Sequence, residues 1–185
     1  MPLLKEIQSV FFKQEAWMGN LPRKFNIAIL GDTVNTCNIF GNDCAFALAS
    51  KNGEIGFNLY LGGKVGVQAR PLKIFVKPSQ VKEVFEAVIS LYKSYGFRDN
   101  RNKNRLNFHF VAVSLEEFKK AIIEYSKLSL EDEGELLVKD EFTLDDSSTI
   151  ELKDEKSAIH FGIPSGIFCG SDLKEAALLA QKHNG

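Results

Sequence analysis

CAFALASKNGEIGFNLYLGG, residues 44–63, is the stretch on which the fold turns. Two apolar runs, residues 44–49 and 55–61, flank Ser50-Lys51-Asn52-Gly53-Glu54, and the Asn-Gly pair supplies the positive φ that a tight hairpin turn demands. The pair reads as a hairpin, and Gly62-Gly63 breaks its second strand. Downstream, residues 72–76 form a further short apolar run between Pro71 and Pro78, which reads as another strand. Then Val81, Val84, Phe85, Val88, Ile89, Tyr92 and Tyr95 share one helical face, with Gly96 as the stop. Upstream, Leu21-Pro22-Arg23-Lys24-Phe25-Asn26 leads into an apolar run ending at Leu30. Pro22 suits a strand entry, the strand is expected to begin at Lys24, and alternation sends Lys24 and Asn26 to one face. An amphipathic helix covering Leu3, Leu4, Ile7, Val10 and Phe11 precedes it, and residues 31–43 read as a long loop of the kind that carries function. Strands and helices mix without regular βαβ alternation, so the class is α+β, a mixed sheet with flanking helices.

Further along, Arg98, Arg101, Lys103 and Arg105 make a basic cluster ahead of an apolar run, residues 106–113. If extended, Arg101, Lys103 and Arg105 point one way; if helical, Arg98, Arg101 and Arg105 do. Either arrangement makes a pocket for carboxylates or phosphates, and a solvated basic face with no partner is an equal alternative. Ser114 and Glu117 form a capping box for a helix over residues 115–128. Residues 131–155 hold eleven acidic side chains against Lys139 and Lys153, a net charge of -9 that leaves the rest of the chain at +8. This tract reads as a linker or a hairpin with Asp145-Asp146-Ser147-Ser148 as its turn. A strand over residues 158–163 and a helix over 173–180, begun by Ser171-Asp172, follow. Gly185 stands where a helix-capping glycine leads into another strand, so the sequence reads as an internal piece.

At 185 residues, 44% hydrophobic and 25% charged, the chain is long enough for one substantial core. No apolar run approaches the ~20 residues of a membrane helix, and a cytoplasmic location is expected. Cys37, Cys44 and Cys169 argue against a disulfide scaffold and cannot form a four-ligand zinc or cluster site. No metal ligands are assigned. The glycines around Gly62-Gly63 do not match a dinucleotide fingerprint, and they fit either close approach to a flat cofactor or a tight turn. His109 reads as a core or half-buried residue. No nucleophile-base arrangement is visible.

Four motifs in order, Leu21-Pro22-Arg23-Lys24-Phe25-Asn26, then Asn42-Asp43 ahead of a strand, then the 53–63 glycine-bounded strand, then Asn100-Arg101-x-Lys103-x-Arg105, resemble the siroheme-dependent nitrite and sulfite reductase family. The resemblance implies a siroheme-binding half-domain over residues 1–130, an acidic linker or hairpin over 131–156, and the truncated start of a second ferredoxin-like half-domain over 157–185. It implies siroheme and a [4Fe-4S] cluster in a parent oxidoreductase that passes six electrons, from ferredoxin, to nitrite or sulfite. Lys24 and Asn26 would face the reacting anion as catalytic residues. Arg23, Arg101, Lys103 and Arg105 would meet siroheme carboxylates, and Asn58, Gly62 and Gly63 would pack against the macrocycle. Asn at position 26, where the family's sulfite enzymes carry Lys, points to nitrite, since a neutral amide lowers the local field while still donating hydrogen bonds. With no cluster ligands, this polypeptide alone is expected to be inactive. The alternatives are sulfite reduction by the same family and a non-enzymatic basic nucleic-acid-binding module; no recognised nucleic-acid motif accompanies the latter, and neither nucleic acid nor membrane is an expected partner.

Overall fold

The computed structural model describes residues 2–17, 19–139, 149–152, 156–159, 167 and 169–183. The chain divides into two compact units, Met1–Thr143 and Leu144–Gly185.

The first unit is built on the hairpin. Strands β2 (Cys44–Lys51) and β3 (Glu54–Leu61) pair antiparallel in the register Cys44↔Leu61 to Lys51↔Glu54. Asn52 and Gly53, with φ of 51° and 80°, form the mirror-image turn that suits the strands' twist. Strand β4 (Arg70–Val76) extends the sheet beyond β3, antiparallel, with a register shift between Asn58 and Tyr60; Lys73 takes a left-handed φ of 56° there. Strand β1 (Ile27–Leu30) lies on the other side of β2 and runs parallel to it, and the short β5 (Glu135–Leu136) pairs with Ala49 and Ser50. The sheet is mixed, as expected.

Alternation along β2 decides which layer covers which face. Cys44 and Phe46 point into the main core, where they meet helix α2 (Val81–Tyr95) and the flanking helices α1 (Pro2–Ser9) and α4 (Leu115–Ser126). Ala45 and Ala47 point the other way, into a smaller cluster with Leu30, Ile39, Phe40 and Val138. Small side chains there let the 31–43 loop lie close against the sheet. Helix α2 buries Val81, Val84, Phe85, Val88, Ile89 and Tyr92, the face its periodicity gave, while Tyr95 is exposed. At α4, Ser114 Oγ accepts from the Glu117 N–H at 3.1 Å and Glu117 Oε2 accepts from the Ser114 N–H at 2.9 Å, so the capping box forms. Lys127 ends the helix in a left-handed conformation, φ 57°.

Two local expectations are corrected. The first strand begins at Ile27 rather than Lys24, because the Asn26 N–H bonds to a side chain instead of a neighbouring strand. Residues 98–105 are neither extended nor one helix: Arg101–Lys103 is a 3-10 turn, and α3 (Leu106–His109) is a separate single turn.

In the second unit β6 (Thr149–Glu151) and β7 (Ser157–Ile159) pair antiparallel, and α5 (Gly170–Lys182) follows. The paired arms bracket residues 152–156, and the expected turn at Asp145-Asp146-Ser147-Ser148 lies outside the described residues, as does most of the 158–163 strand beyond Ile159. Among the described residues, no helix is long and apolar enough to cross a membrane.

Candidate functional site

The site is organised by a residue to which the sequence reading gave no role. Asp43, last in the loop before β2, has a fully buried side chain. Its Oδ2 accepts the Asn26 N–H at 2.9 Å, and its two carboxylate oxygens accept Arg105 Nε at 3.1 Å and Arg105 Nη2 at 2.5 Å. Its own carbonyl accepts the Gly62 N–H at 2.8 Å. Burying a carboxylate is tolerated only when it is paired and its lone pairs are filled, and this bidentate arginine with a backbone donor meets both conditions. Asp43 thereby gathers Asn26, Gly62 and Arg105, which are separated by up to 79 residues in the chain.

Asn26 is held from both sides. Its N–H goes to Asp43, and its C=O accepts from Cys44 N–H at 3.1 Å. One residue earlier, Phe25 turns inward, with its ring 5.5 Å from that of Tyr92 and 6.4 Å from that of Phe85 on α2. Lys24 and Asn26 are left exposed on either side of it along the chain, and Arg23 is half-buried. The alternation read from sequence therefore holds here even though the segment is not part of the strand.

The basic cluster is split. Arg105, with a side chain 14% exposed, turns in to Asp43 and reaches the Gly63 carbonyl at 3.4 Å, while Arg101 and Lys103 remain exposed. The cause is local. Asn100 Oδ1 accepts from Asn102 N–H at 3.0 Å and Asn104 Oδ1 accepts from Asn100 N–H at 3.2 Å, which curls the segment. Lys103 lines a surface groove of about 430 Å³ with Phe97, Asn100, Phe108 and Val111. Arg98 donates to the Asn20 and Lys93 carbonyls at 2.7 and 2.8 Å, bracing the end of α2.

The Gly62-Gly63 pair answers to the protein's own packing. Gly62 has a φ of 82°, and a Cβ on Gly63 would stand 2.4–2.7 Å from backbone atoms of Phe40 and Asn42. Asn58 is buried farther down β3, roughly 13 Å from Gly62 at about 3.3 Å per residue. Both ends of its amide are engaged with Gly134: Nδ2 donates to the carbonyl at 2.8 Å and Oδ1 accepts the N–H at 2.9 Å. Asn58 thus fastens the 131–136 segment to the sheet, and no hydrogen bond joins it to the Asp43 group.

Tyr92 ties the two basic strings together beneath the surface. Its hydroxyl donates to the Asn104 carbonyl at 2.6 Å and takes a backbone hydrogen bond from Arg23. Burial, with Asp43 adding to it, pushes the phenol up to about 12, so it stays protonated and able to donate. Cys44 is fully buried, and that burial, with Asp43 next to it, raises the thiol far above its ordinary range; burial also raises Cys37. Cys44 lies inside the core while Cys37 is exposed, so the two thiols do not converge as ligands of one site. Among the described residues, no group of three or more His, Cys, Asp or Glu could hold a metal ion. Lys24, Arg101 and Lys103 are exposed cations, of the residue types that pair with carboxylates.

A mixed sheet that offers a clamped, cation-bearing segment beside a glycine turn is the architecture into which the sequence comparisons fall. The family model described as the nitrite and sulphite reductase 4Fe-4S domain matches residues 1–130, and the chain belongs to this family. It is 43% identical over 91 residues to a ferredoxin–nitrite reductase of Leptolyngbya laminosa, covering 47% of this chain and 18% of that protein. It is 32% identical over 130 residues to the NADPH sulfite reductase hemoprotein beta-component of Shewanella putrefaciens, covering 65% of this chain and 23% of that protein. The NirA protein of Mycobacterium tuberculosis superposes with a TM-score of 0.67 at 27% identity, over 85% of this chain and 30% of the other. The chain spans about a fifth of the length of the curated relatives it matches.

Proposed function

We propose that residues 1–130 form one wall of the active site of a siroheme- and [4Fe-4S]-dependent nitrite reductase, with ferredoxin as its electron donor and the cluster ligands supplied by a segment outside this chain. The observation that carries this reading is the side-by-side exposure of Lys24 and Asn26, with the half-buried Phe25 turned inward between them and both backbone groups of Asn26 held. When bound, siroheme would supply the electron transfer to the anion at its iron. Lys24 would place a positive charge beside that anion and lower the cost of bringing it to the iron. Asn26 would donate a hydrogen bond without adding a second charge, which suits a monoanion better than a dianion. Arg23, Arg101 and Lys103 would neutralise carboxylates at the rim. Arg105 is already turned inward to Asp43 through Nε and Nη2, and both ends of the Asn58 amide are engaged by Gly134, so the rim role falls first to the exposed cations.

The test uses this chain and added siroheme. The purified chain is expected to be colourless and without reductase activity, and siroheme titrated into it should give a saturable shift of the visible absorbance that weakens in Lys24→Ala and Lys103→Ala. Absence of any saturable shift in the wild-type chain would overturn the reading. In the parent enzyme Asn26→Lys should move preference from nitrite toward sulfite, and an unchanged ratio of kcat/KM for the two anions would remove the assignment of Asn26 to selectivity.

A further inference from the structure

We infer that Asp43 is the positioning residue of the Lys24–Asn26 surface and that Arg105 is its counterion rather than a ligand for cofactor carboxylates; this rests on the proposed reading of that surface as the cofactor wall.

The argument is one of shared atoms. The Asp43 carboxylate is fully buried, yet it accepts from Arg105 through both oxygens and from Asn26 N–H through Oδ2. Through its own carbonyl it also fixes Gly62, and through Arg105 it reaches Gly63, so three separate segments are referred to one group. Asn26 is the only residue among them that belongs to the exposed Lys24–Asn26 surface, and Asp43 holds its N–H while the adjacent Cys44 N–H holds its C=O. Any rotation of the Lys24-Phe25-Asn26 backbone must therefore break a hydrogen bond to a buried anion. Arg105 contributes to the surface by keeping that anion neutralised: its Nε and Nη2 are committed to Asp43 and Gly63, and its side chain is only 14% exposed.

Charge alone and positioning make opposite predictions. Asp43→Asn removes a negative charge from beneath a basic surface and frees Arg105, so if electrostatics or direct binding by Arg105 governs, a polyanion such as siroheme binds more tightly. If Asp43 acts by positioning, affinity falls, because an amide that keeps its oxygen on Asn26 N–H and Arg105 Nη2 turns its NH2 toward Arg105 Nε, donor against donor, and the bidentate clamp opens. We expect siroheme affinity, read from the visible absorbance, to fall about tenfold in Asp43→Asn, in line with the cost of small misplacements at a binding site. Should that variant fail to fold, Asp43→Leu combined with Arg105→Met replaces the buried pair by apolar groups of similar bulk, an exchange that proteins commonly tolerate. In this double variant the urea midpoint should stay near wild type while the Asn26 amide resonance moves upfield, its hydrogen exchange quickens and siroheme affinity falls.

Tighter binding by Asp43→Asn, or an unchanged Asn26 amide in the folded double variant, overturns the inference. A wild-type chain that does not take up siroheme overturns the functional reading itself and this role with it. Wild-type uptake with undiminished uptake by the variants overturns the positioning role alone.

Discussion

Residues 21–26 and 98–105 are both basic strings, and both reach Asp43, yet the structure treats them in opposite ways. In the first, Lys24 and Asn26 point outward as alternation requires, because Phe25 packs against α2 and Asn26 is bonded on both sides. In the second, asparagines interleave the cations, and Asn100 and Asn104 bond to nearby backbone and curl the chain, so Arg105 alone turns inward. The difference teaches that a period-two reading places side chains correctly only where neighbouring elements keep the backbone extended. Where Asn can satisfy the backbone locally, that chemistry decides instead.

The comparison is broken most directly at the group the two strings share. Asp43→Ala leaves Arg105 without its partner in a buried position and should cost about 3–5 kcal/mol in urea unfolding, whereas Lys24→Ala, at the exposed end of the first string, should change stability by less than about 0.5 kcal/mol. A loss for Asp43→Ala as small as that for Lys24→Ala would mean that the strings are not coupled through the carboxylate. Gly63→Ala comes next: a Cβ 2.4–2.7 Å from backbone of Phe40 and Asn42 should cost about 1–3 kcal/mol and expose the Asn26 amide to faster hydrogen exchange.

Ser114→Ala serves as the local reference, with an expected loss of about 1 kcal/mol by removal of the α4 cap and no effect on Asn26 exchange. The sign of its pH dependence follows from Glu117. The Ser114 hydroxyl and N–H hold the Glu117 carboxyl below its ordinary value, so the box stabilises the fold above that ordinary value and its contribution fades as pH falls through the lowered one. Ser114→Ala should therefore lose in acid the part of its disadvantage that runs through the Glu117 carboxylate, while the lost Glu117 N–H bond to Ser114 Oγ continues to count. The smallest effect is expected at His109. It is buried among Phe97, Phe110 and Phe118, its Nδ1 has no hydrogen-bond partner among the described residues, and burial lowers its pKa from the ordinary 6.5. Protonation is thus disfavoured in the fold, stability should decline as pH drops below about 6.5 toward the lowered folded value, and His109→Phe should flatten that decline.

What could be read ahead of the structure was what neighbours in sequence determine. The 44–61 hairpin, the buried face of α2 and the Ser114 capping box depend on residues within a turn or two of one another, and each formed as read. The exposure of Lys24 and Asn26 was legible too, since Phe25 between them is apolar. Asp43 was not. An acidic residue ahead of an apolar strand looks like an ordinary loop carboxylate until Asn26, 17 residues back, and Arg105, 62 residues on, are seen to meet it. Two hints were available: Asn42-Asp43 is one of the four motifs that carry the family resemblance, and the carboxylate stands next to an apolar strand in a body of charge +8. Gly62-Gly63 was legible as a glycine requirement, but whether a cofactor or the chain's own backbone imposes it depends on where the 40–42 turn lies, and no periodicity reports that.

The 62-residue span between Asp43 and Arg105 also sets an order of events during synthesis. Hairpin β2–β3 is local and can close as soon as residue 61 has emerged, yet Asp43 must stay hydrated until Arg105 arrives, because an unpaired carboxylate cannot enter the core. The whole of α2 lies between, so the helix is already made when the guanidinium comes within reach. The Lys24–Asn26 surface therefore settles after the hairpin is closed, and a nascent chain stalled before residue 105 should hold a finished hairpin beside an unanchored Asn26.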